Sequence, residues 1–289
     1  MECKVIQVDA FTRKPDQGNP AGVILNGDDY TEEEMQKIAK EVGFNECVFV
    51  CSSDKADVRL RYFTPGHETP LCGHATMGAM FLLSEQKQED YQWSVETLAG
   101  VIQVDYETTT QEMTMQQADA QFIPFNGDKE SLCRVMGISS DSLVEDLPIV
   151  YGNTGSWTLI VPVKEGAVLD QMIPQTAAFP TVLKEMPKSS IHPFAASKNE
   201  GTYVARHFSS PFSGTIEDSV TGTASGVMGA YLLAYDRPLK KQQMITVVQG
   251  KHVGREGQLT VLAEQEGDNV YHVSITGTAC RNKEMTISL

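Results

Sequence analysis

From Ala75 to Leu83, the run Ala75-Thr76-Met77-Gly78-Ala79-Met80-Phe81-Leu82-Leu83 carries almost no polar residue on any helical face, so a helix built from it must be wrapped on every side. Gly73-His74 opens this run, and Gly222-Thr223-Ala224-Ser225 opens a second one through Val227, Met228, Tyr231, Leu232 and Leu233. Both read Gly-x-Ala-[Ser/Thr] followed by an apolar helix. Four residues are few enough to recur by chance, but other features repeat around them in the same order. Ahead of each helix stands a glycine turn between strands: Gly18-Asn19-Pro20-Ala21-Gly22 before Val23-Ile24-Leu25, and Gly152-Asn153-Thr154-Gly155 before the strand from Trp157 to Val163. After each helix comes a strand pair with a turn, around Val95 to Gly100 and around Val247 to Lys251. The unequal spacings suit a duplicated domain rather than a solenoid.

Period-two alternation supplies the wrapping strands: Val5 to Asp9, Val48 to Cys51, Val58 to Phe63, Gln92 to Glu96, Ile102 to Tyr106, Glu112 to Gln116, Leu159 to Val163, Gln258 to Ala263 and Val270 to Thr276. The expected fold is α+β, with two pseudo-symmetric domains, each a curled mixed sheet around one central buried helix. The expected boundaries are residues 1–118 and 119–278.

The formal net charge of −15, with basic residues clustered only briefly at Arg237 to Lys241 and Lys251 to Arg255, argues against nucleic acid as a partner. No basic n-region stands at the start of the chain, and the longest apolar run is about half of the roughly 18 residues that a membrane span requires. A soluble, cytoplasmic protein with no membrane partner is expected. The six cysteines, Cys3, Cys47, Cys51, Cys72, Cys133 and Cys280, fit neither a dense disulfide framework nor paired zinc spacing, and read as reduced thiols.

A buried helix still has unsatisfied N–H groups at its start, and small residues there let a ligand approach the backbone. Gly73-His74 and Gly222-Thr223, related by a pseudo-twofold, would point at a cleft between the halves and bind an anion, so the expected ligand is a small carboxylate. Strand alternation puts Glu46 on one face with Val48 and Val50, where a desolvated carboxyl suits proton transfer near neutral pH; the alternative is an edge residue reaching water. His74 reads either as a general acid or donor at the helix start, or as a structural histidine. Asp218 reads either as a site residue or as a favourable charge near a helix N-terminus. His67-Glu68 lacks HExxH spacing and is flanked by Pro65 and Pro70, so no metal site is expected there. Acid runs such as Glu32-Glu33-Glu34 read as solvated faces.

Val8-Asp9-Ala10-Phe11, Gly18-Asn19-Pro20-Ala21-Gly22-Val23, Asn45-Glu46-Cys47-Val48-Phe49, Tyr62-Phe63-Thr64-Pro65 with Glu68-Thr69-Pro70-Leu71-Cys72-Gly73-His74-Ala75-Thr76, and Glu217-Asp218-Ser219-Val220-Thr221-Gly222-Thr223-Ala224 together resemble the PhzF-like phenazine-biosynthesis isomerases of the diaminopimelate epimerase superfamily. The resemblance implies the two-domain fold above, with residues 279–289 returning to the first domain, and a homodimer. It also implies a cofactor-free, metal-free isomerase in which a glutamate moves a proton between ring carbons of a substrate such as trans-2,3-dihydro-3-hydroxyanthranilate. Glu46 matches that glutamate. His74 and Asp218 match the other catalytic positions, and Thr223 a site position often held by Ser. Gly73, Gly222, Cys72 and Asn19 match positions around the substrate.

The racemases and epimerases of the superfamily use two opposed cysteines, one before each central helix. Here Cys72 precedes Gly73 but Thr221 precedes Gly222, so a two-thiol mechanism is broken. One cysteine facing a threonine resembles the hydroxyproline dehydratases of a related branch, which leaves that activity, an epimerase using Cys72, or a non-catalytic carboxylate binder as alternatives.

Overall fold

Apolar and polar residues alternate at the start of strand β1 (Glu2–Ala10), but from Val5 onward every residue is buried, because helices cover both faces of the sheet there. The computed structural model describes residues 2–236 and 240–289; Arg237, which opens one of the two basic stretches, lies outside the described residues. The chain divides into two units, one running to Gln116 and rejoined by Thr276–Leu289, the other Gln117–Ile275.

In the first unit β1 is followed by β2 (Asn19–Ile24), helix α1 (Glu32–Val42), β3 (Cys47–Cys51), β4 (Val58–Phe63), the short β5 (Glu68–Thr69), helix α2 (Gly73–Ser84), β6 (Tyr91–Thr97), β7 (Gly100–Glu107) and β8 (Glu112–Gln116). The pairings β1–β2, β3–β4 and β6–β7 are antiparallel, while β2–β3 and β4–β6 are parallel. One face of the sheet packs Cys3, Val5, Ile24, Cys47 and Phe49 against Met35, Ile38 and Ala39 of α1. The other faces α2, where a side chain at Gly78 would meet Val8 and Val23. A capping box of Thr31 and Glu34 starts α1, and Gly43, at φ 73°, ends it.

The second unit runs through β9 (Gln121–Pro124), α3 (Lys129–Met136), β10 (Val150–Asn153), β11 (Trp157–Pro162), α4 (Gly166–Gln171), α5 (Phe179–Val182), β12 (Ser190–Ala196), β13 (Thr202–Ala205), β14 (His207–Phe208), β15 (Glu217–Asp218), α6 (Gly222–Tyr231), β16 (Gln242–Gln249), β17 (Gly257–Glu266) and β18 (Val270–Gly277). Its pairings repeat the order of the first unit: β10–β11 antiparallel, β11–β12 parallel, β12–β13 antiparallel, β13–β16 parallel, β16–β17 antiparallel. Leu132 and Met136 of α3, Leu169 of α4 and Phe179 of α5 cover Tyr151, Leu159 and Val161 on one face. Helix α6 lies on the other, buried at every residue except Thr223.

The last strand, β19 (Ala279–Ser288), pairs antiparallel with β1 from Glu2↔Ser288 to Ala10↔Ala279, with one irregularity between Ile6 and Val8. The architecture is mixed α+β, and both apolar helices are buried nearly all round, as their composition requires. Two glycines differ from their expected use: Gly22 lies within β2, paired with Cys47, and the turn there is at Gly18, φ 62°. Gly152 is not a turn residue but a strand residue of β10, where a Cβ would stand 2.1 Å from the Val227 Cγ1 of α6; the turn follows at Gly155, φ 145°. Cys3, Cys47, Cys51, Cys72 and Cys133 are buried free thiols. Among the described residues no helix is long and apolar enough to cross a membrane.

Candidate active site

The start of α2 is positioned by the hairpin before it. Phe63 of β4 pairs with Glu68 of β5, and the Arg61 guanidinium holds the Glu68 carboxylate through two hydrogen bonds, Nε to Oε1 and Nη2 to Oε2, both 2.7 Å. The same guanidinium reaches Glu32 at 2.8 Å and lies 5.2 Å from the Phe63 ring centre. Cys72 is the N-cap residue of α2 and makes no side-chain cap hydrogen bond. The Thr76 hydroxyl donates to the Cys72 carbonyl at 2.7 Å, so the buried Tyr62 hydroxyl, 2.7 Å from Thr76 Oγ1, is the donor of that second bond. Val48 pairs with Tyr62, which places Val48 on the α2 side of the sheet, and the alternation of β3 carries Glu46, one residue ahead of the strand, to the same side.

There Glu46, Cys72 and His74 meet. His74 Nε2 lies 3.3 Å from Glu46 Oε2, and His74 Nδ1 lies 3.4 Å from Cys72 Sγ. The His74–Glu46 contact joins the charges without hydrogen-bond alignment, so Glu46 Oε2 is a buried oxygen with no hydrogen-bond partner among the described residues. Burial alone would depress the His74 imidazolium, but the Cys72 sulfur and the Glu46 carboxylate offset it and hold His74 well above the ordinary histidine value. Burial, reinforced by the Glu46 charge, pushes the Cys72 thiol up against the opposing pull of His74. The ligand atoms of the three residues lie within 4.8 Å of one another, close enough to share one metal ion. By contrast, His67 is exposed in a turn with Thr64, and Glu68 is taken by Arg61. Asn19 is fully buried at the first position of β2.

The second unit builds the start of α6 in the same way. Phe208 pairs with Glu217, which Arg206 holds at 2.9 and 2.6 Å while its Nη1 donates to the carbonyls of Leu169 and Met172. The guanidinium stacks 4.7 Å from the Phe208 centroid. Glu68 stands five residues before Gly73 and Glu217 five before Gly222, so the strand registers match Cys72 with Thr221 and His74 with Thr223. Cys47 and Ile191 sit opposite Phe63 and Phe208, which puts Ser190 in the place of Glu46. Hydroxyls thus replace carboxylate, thiol and imidazole. Asp218 accepts from Thr221 Oγ1 at 2.6 Å and from the Ser219 N–H at 3.1 Å, while Gln249 Nε2 donates to the Asp218 carbonyl and to Thr221 Oγ1. Gly222 is buried, and the Thr223 carbonyl accepts from Thr154.

The structure brings together Glu46, Cys72, Gly73 and His74 in the first unit, and Asp218, Gly222 and Thr223 around the start of α6 in the second. The two arginine clamps and Gln249 are further parts of these sites that pattern reading passed over. The order Arg-x-Phe, then Glu, then Gly at 61, 63, 68 and 73 recurs at 206, 208, 217 and 222, and was a usable signal.

The family described as phenazine biosynthesis-like protein matches residues 8–284. The uncharacterized isomerase YfhB of Bacillus subtilis is 45% identical over 284 residues, covering 96% of each chain. The trans-2,3-dihydro-3-hydroxyanthranilate isomerase of Pseudomonas aeruginosa is 29% identical over 278 residues, 95% of each chain. Among solved structures, the Bacillus anthracis phenazine biosynthesis protein of the PhzF family superposes with a TM-score of 0.95 at 44% identity over all of both chains. A probable proline racemase from Agrobacterium radiobacter, 11% identical, shares the fold alone, with a TM-score of 0.67 over 99% of this chain and 93% of its own.

Proposed function

The chain belongs to the phenazine biosynthesis-like protein family and is an isomerase, and we propose that it moves a proton within a small carboxylate-bearing substrate resembling trans-2,3-dihydro-3-hydroxyanthranilate, with Glu46 as acid and base. The observation that carries this reading is the Glu46 Oε2 lone pair, buried beside His74 Nε2 and unclaimed by any hydrogen bond among the described residues. Glu46 takes a proton from one substrate carbon, the electron pair delocalises along the unsaturated system, and the same carboxyl returns the proton at another carbon. Substrate and product are isomers, so the step balances without an oxidant, reductant or metal.

His74, held toward its protonated form, stabilises the Glu46 carboxylate and donates to the negative charge that develops on the substrate. The start of α2 at Gly73, without a side-chain cap, binds the substrate carboxylate, with Cys72 at its edge. The assignment of Asp218 as a further proton-handling group, and of Gly222, Thr223 and Asn19 as substrate-binding residues, rests on the family resemblance.

Proton NMR in D₂O tests the reading. Wild type should place deuterium in dihydro-hydroxyanthranilate or in a product with a migrated double bond, and Glu46→Gln should lower that rate by roughly 10²–10⁴-fold, the usual worth of a positioned acid/base. Undiminished exchange in Glu46→Gln would remove Glu46 from the mechanism.

The Sγ to Nδ1 contact of 3.4 Å favours a second reading, thiol chemistry on a hydroxyproline. Its signature is water loss abolished by Cys72→Ala and indifferent to Glu46→Gln; the elevated thiol weighs against it. We also carry the homodimer as part of the proposal. Light scattering should return twice the chain mass.

A further inference from the structure

We propose that Glu46, Cys72 and His74 form a binding site for a zinc-class divalent cation, and that a bound ion shuts the site off. With Zn–S of about 2.3 Å and Zn–N and Zn–O of about 2.1 Å, tetrahedral coordination places sulfur about 3.6 Å from nitrogen and nitrogen about 3.4 Å from oxygen. The protein holds Sγ 3.8 Å from His74 Nε2, and Nε2 3.3 Å from Glu46 Oε2. Both spacings are within a few tenths of an ångström of what the ion needs. Sγ now lies nearer Nδ1, at 3.4 Å, so binding turns the imidazole to trade that contact for the metal, and the ion displaces the Cys72 thiol proton and the His74 Nε2 proton to solvent.

The donor set selects the ion. Thiolate and imidazole suit Zn²⁺, Co²⁺ and Ni²⁺, whereas Mg²⁺ and Ca²⁺ call for oxygen shells that this cluster does not provide. Glu46 Oε2 has no hydrogen bond to give up when it takes a metal. The rest of the cluster is held from behind: the Thr76 hydroxyl ties the Cys72 carbonyl, and Tyr62 ties Thr76. Three protein ligands leave a fourth position for water. That the ion is a blocker rather than a cofactor rests on the reading of Glu46 and His74 as the proton-transfer pair, since the metal occupies the lone pairs that this chemistry uses.

Titration of the full chain with Co²⁺, followed by absorption, tests the site without any substrate. One equivalent should produce intense tetrahedral d–d bands and a sulfur-to-cobalt charge-transfer band, both displaced by Zn²⁺ and untouched by Mg²⁺. Cys72→Ala should abolish the charge-transfer band and weaken Zn²⁺ binding in calorimetry by about 100-fold or more, at least the loss that outer-shell changes cause. If Cys72→Ala does not fold, as judged by thermal unfolding, Glu46→Gln keeps shape and thiol and should weaken Zn²⁺ by tenfold or more. His272→Ala should change nothing: that exposed imidazole sits between Asp119 and Glu266, with no thiol beside it. A wild type without the charge-transfer band, or a band that survives Cys72→Ala, overturns the site. If cobalt binds as described but no substrate exchanges deuterium, the reading of Glu46 as the proton-transfer group fails and the metal site stands. If exchange proceeds undiminished at saturating Zn²⁺, the blocking role is overturned.

Discussion

Arg206 stands buried between β13 and β14. Its guanidinium satisfies the Glu217 carboxylate and the carbonyls that end α4, with side chains only 6% and 8% exposed. Arg206→Met leaves the buried Glu217 carboxylate and the Met172 carbonyl without this donor, while the Leu169 carbonyl keeps the Met172 N–H, and should cost about 3–5 kcal/mol in urea unfolding. Arg61→Met should cost less, because Glu68 at 16% exposure still reaches water; equal losses would mean that burial does not set the difference. At this scale the site was partly legible. Glu46 could be placed on the α2 side because strand alternation is a local rule, and His74 because it follows the helix glycine. The clamps could not be placed from pairwise sequence distance alone, since nothing local says that Arg61 folds back on Glu68 until the β4–β5 register does so.

The central helices are made by composition but seated by glycine. Gly152 lets β10 approach α6, and Gly78 does the same for α2 against β1 and β2. Gly152→Ala should cost about 1–3 kcal/mol as overpacking, and adding Val227→Ala should make the double variant lose less than the sum of the two singles. Strict additivity in a double-mutant cycle would show that Val227 is not what limits the space. Sequence reading took Gly152 for a turn residue because glycine serves turns and close approaches alike, and only the packing partner tells them apart. The strands were easier. Each stretch read from period-two alternation lies in an observed strand, apart from Val163, one residue past the end of β11, because a half-buried sheet imposes that period directly.

At the scale of the whole molecule, a buried histidine pair in the second unit ties stability to pH. His192 and His207 lie Nδ1 to Nδ1 at 3.3 Å, and His192 Nε2 is buried with no hydrogen-bond partner among the described residues. Burial pushes both imidazoles below the usual value, His192 well below and further depressed by His207, His207 less so because Asp218 and Glu217 oppose the shift. The unfolded chain therefore binds protons here near its ordinary value of about 6.5, while the folded chain stays neutral. The contribution is fully present above that pH and is lost as pH falls toward the folded values. The pair lowers the urea midpoint from pH 7.5 to pH 5.5 while His74, whose raised value favours the folded chain at low pH, raises it, so His207→Gln should shift the slope toward a shallower fall; an unchanged slope in that variant would clear the pair of responsibility.

Sequence by itself determined the α+β class, the two helices that must be buried all round, and the positions of most strands, because apolar periodicity is a local response to one buried face. It also brought Glu46, Cys72 and His74 forward as residues of interest. Only the tertiary structure decided that these three share one pocket of charge, that Ser190, Thr221 and Thr223 stand at the matching places of the second unit, and that two arginine clamps hold the helix starts. Those facts depend on strand register across segments far apart in the chain, and register is settled by packing on both faces of the sheet rather than by any pattern within a single strand.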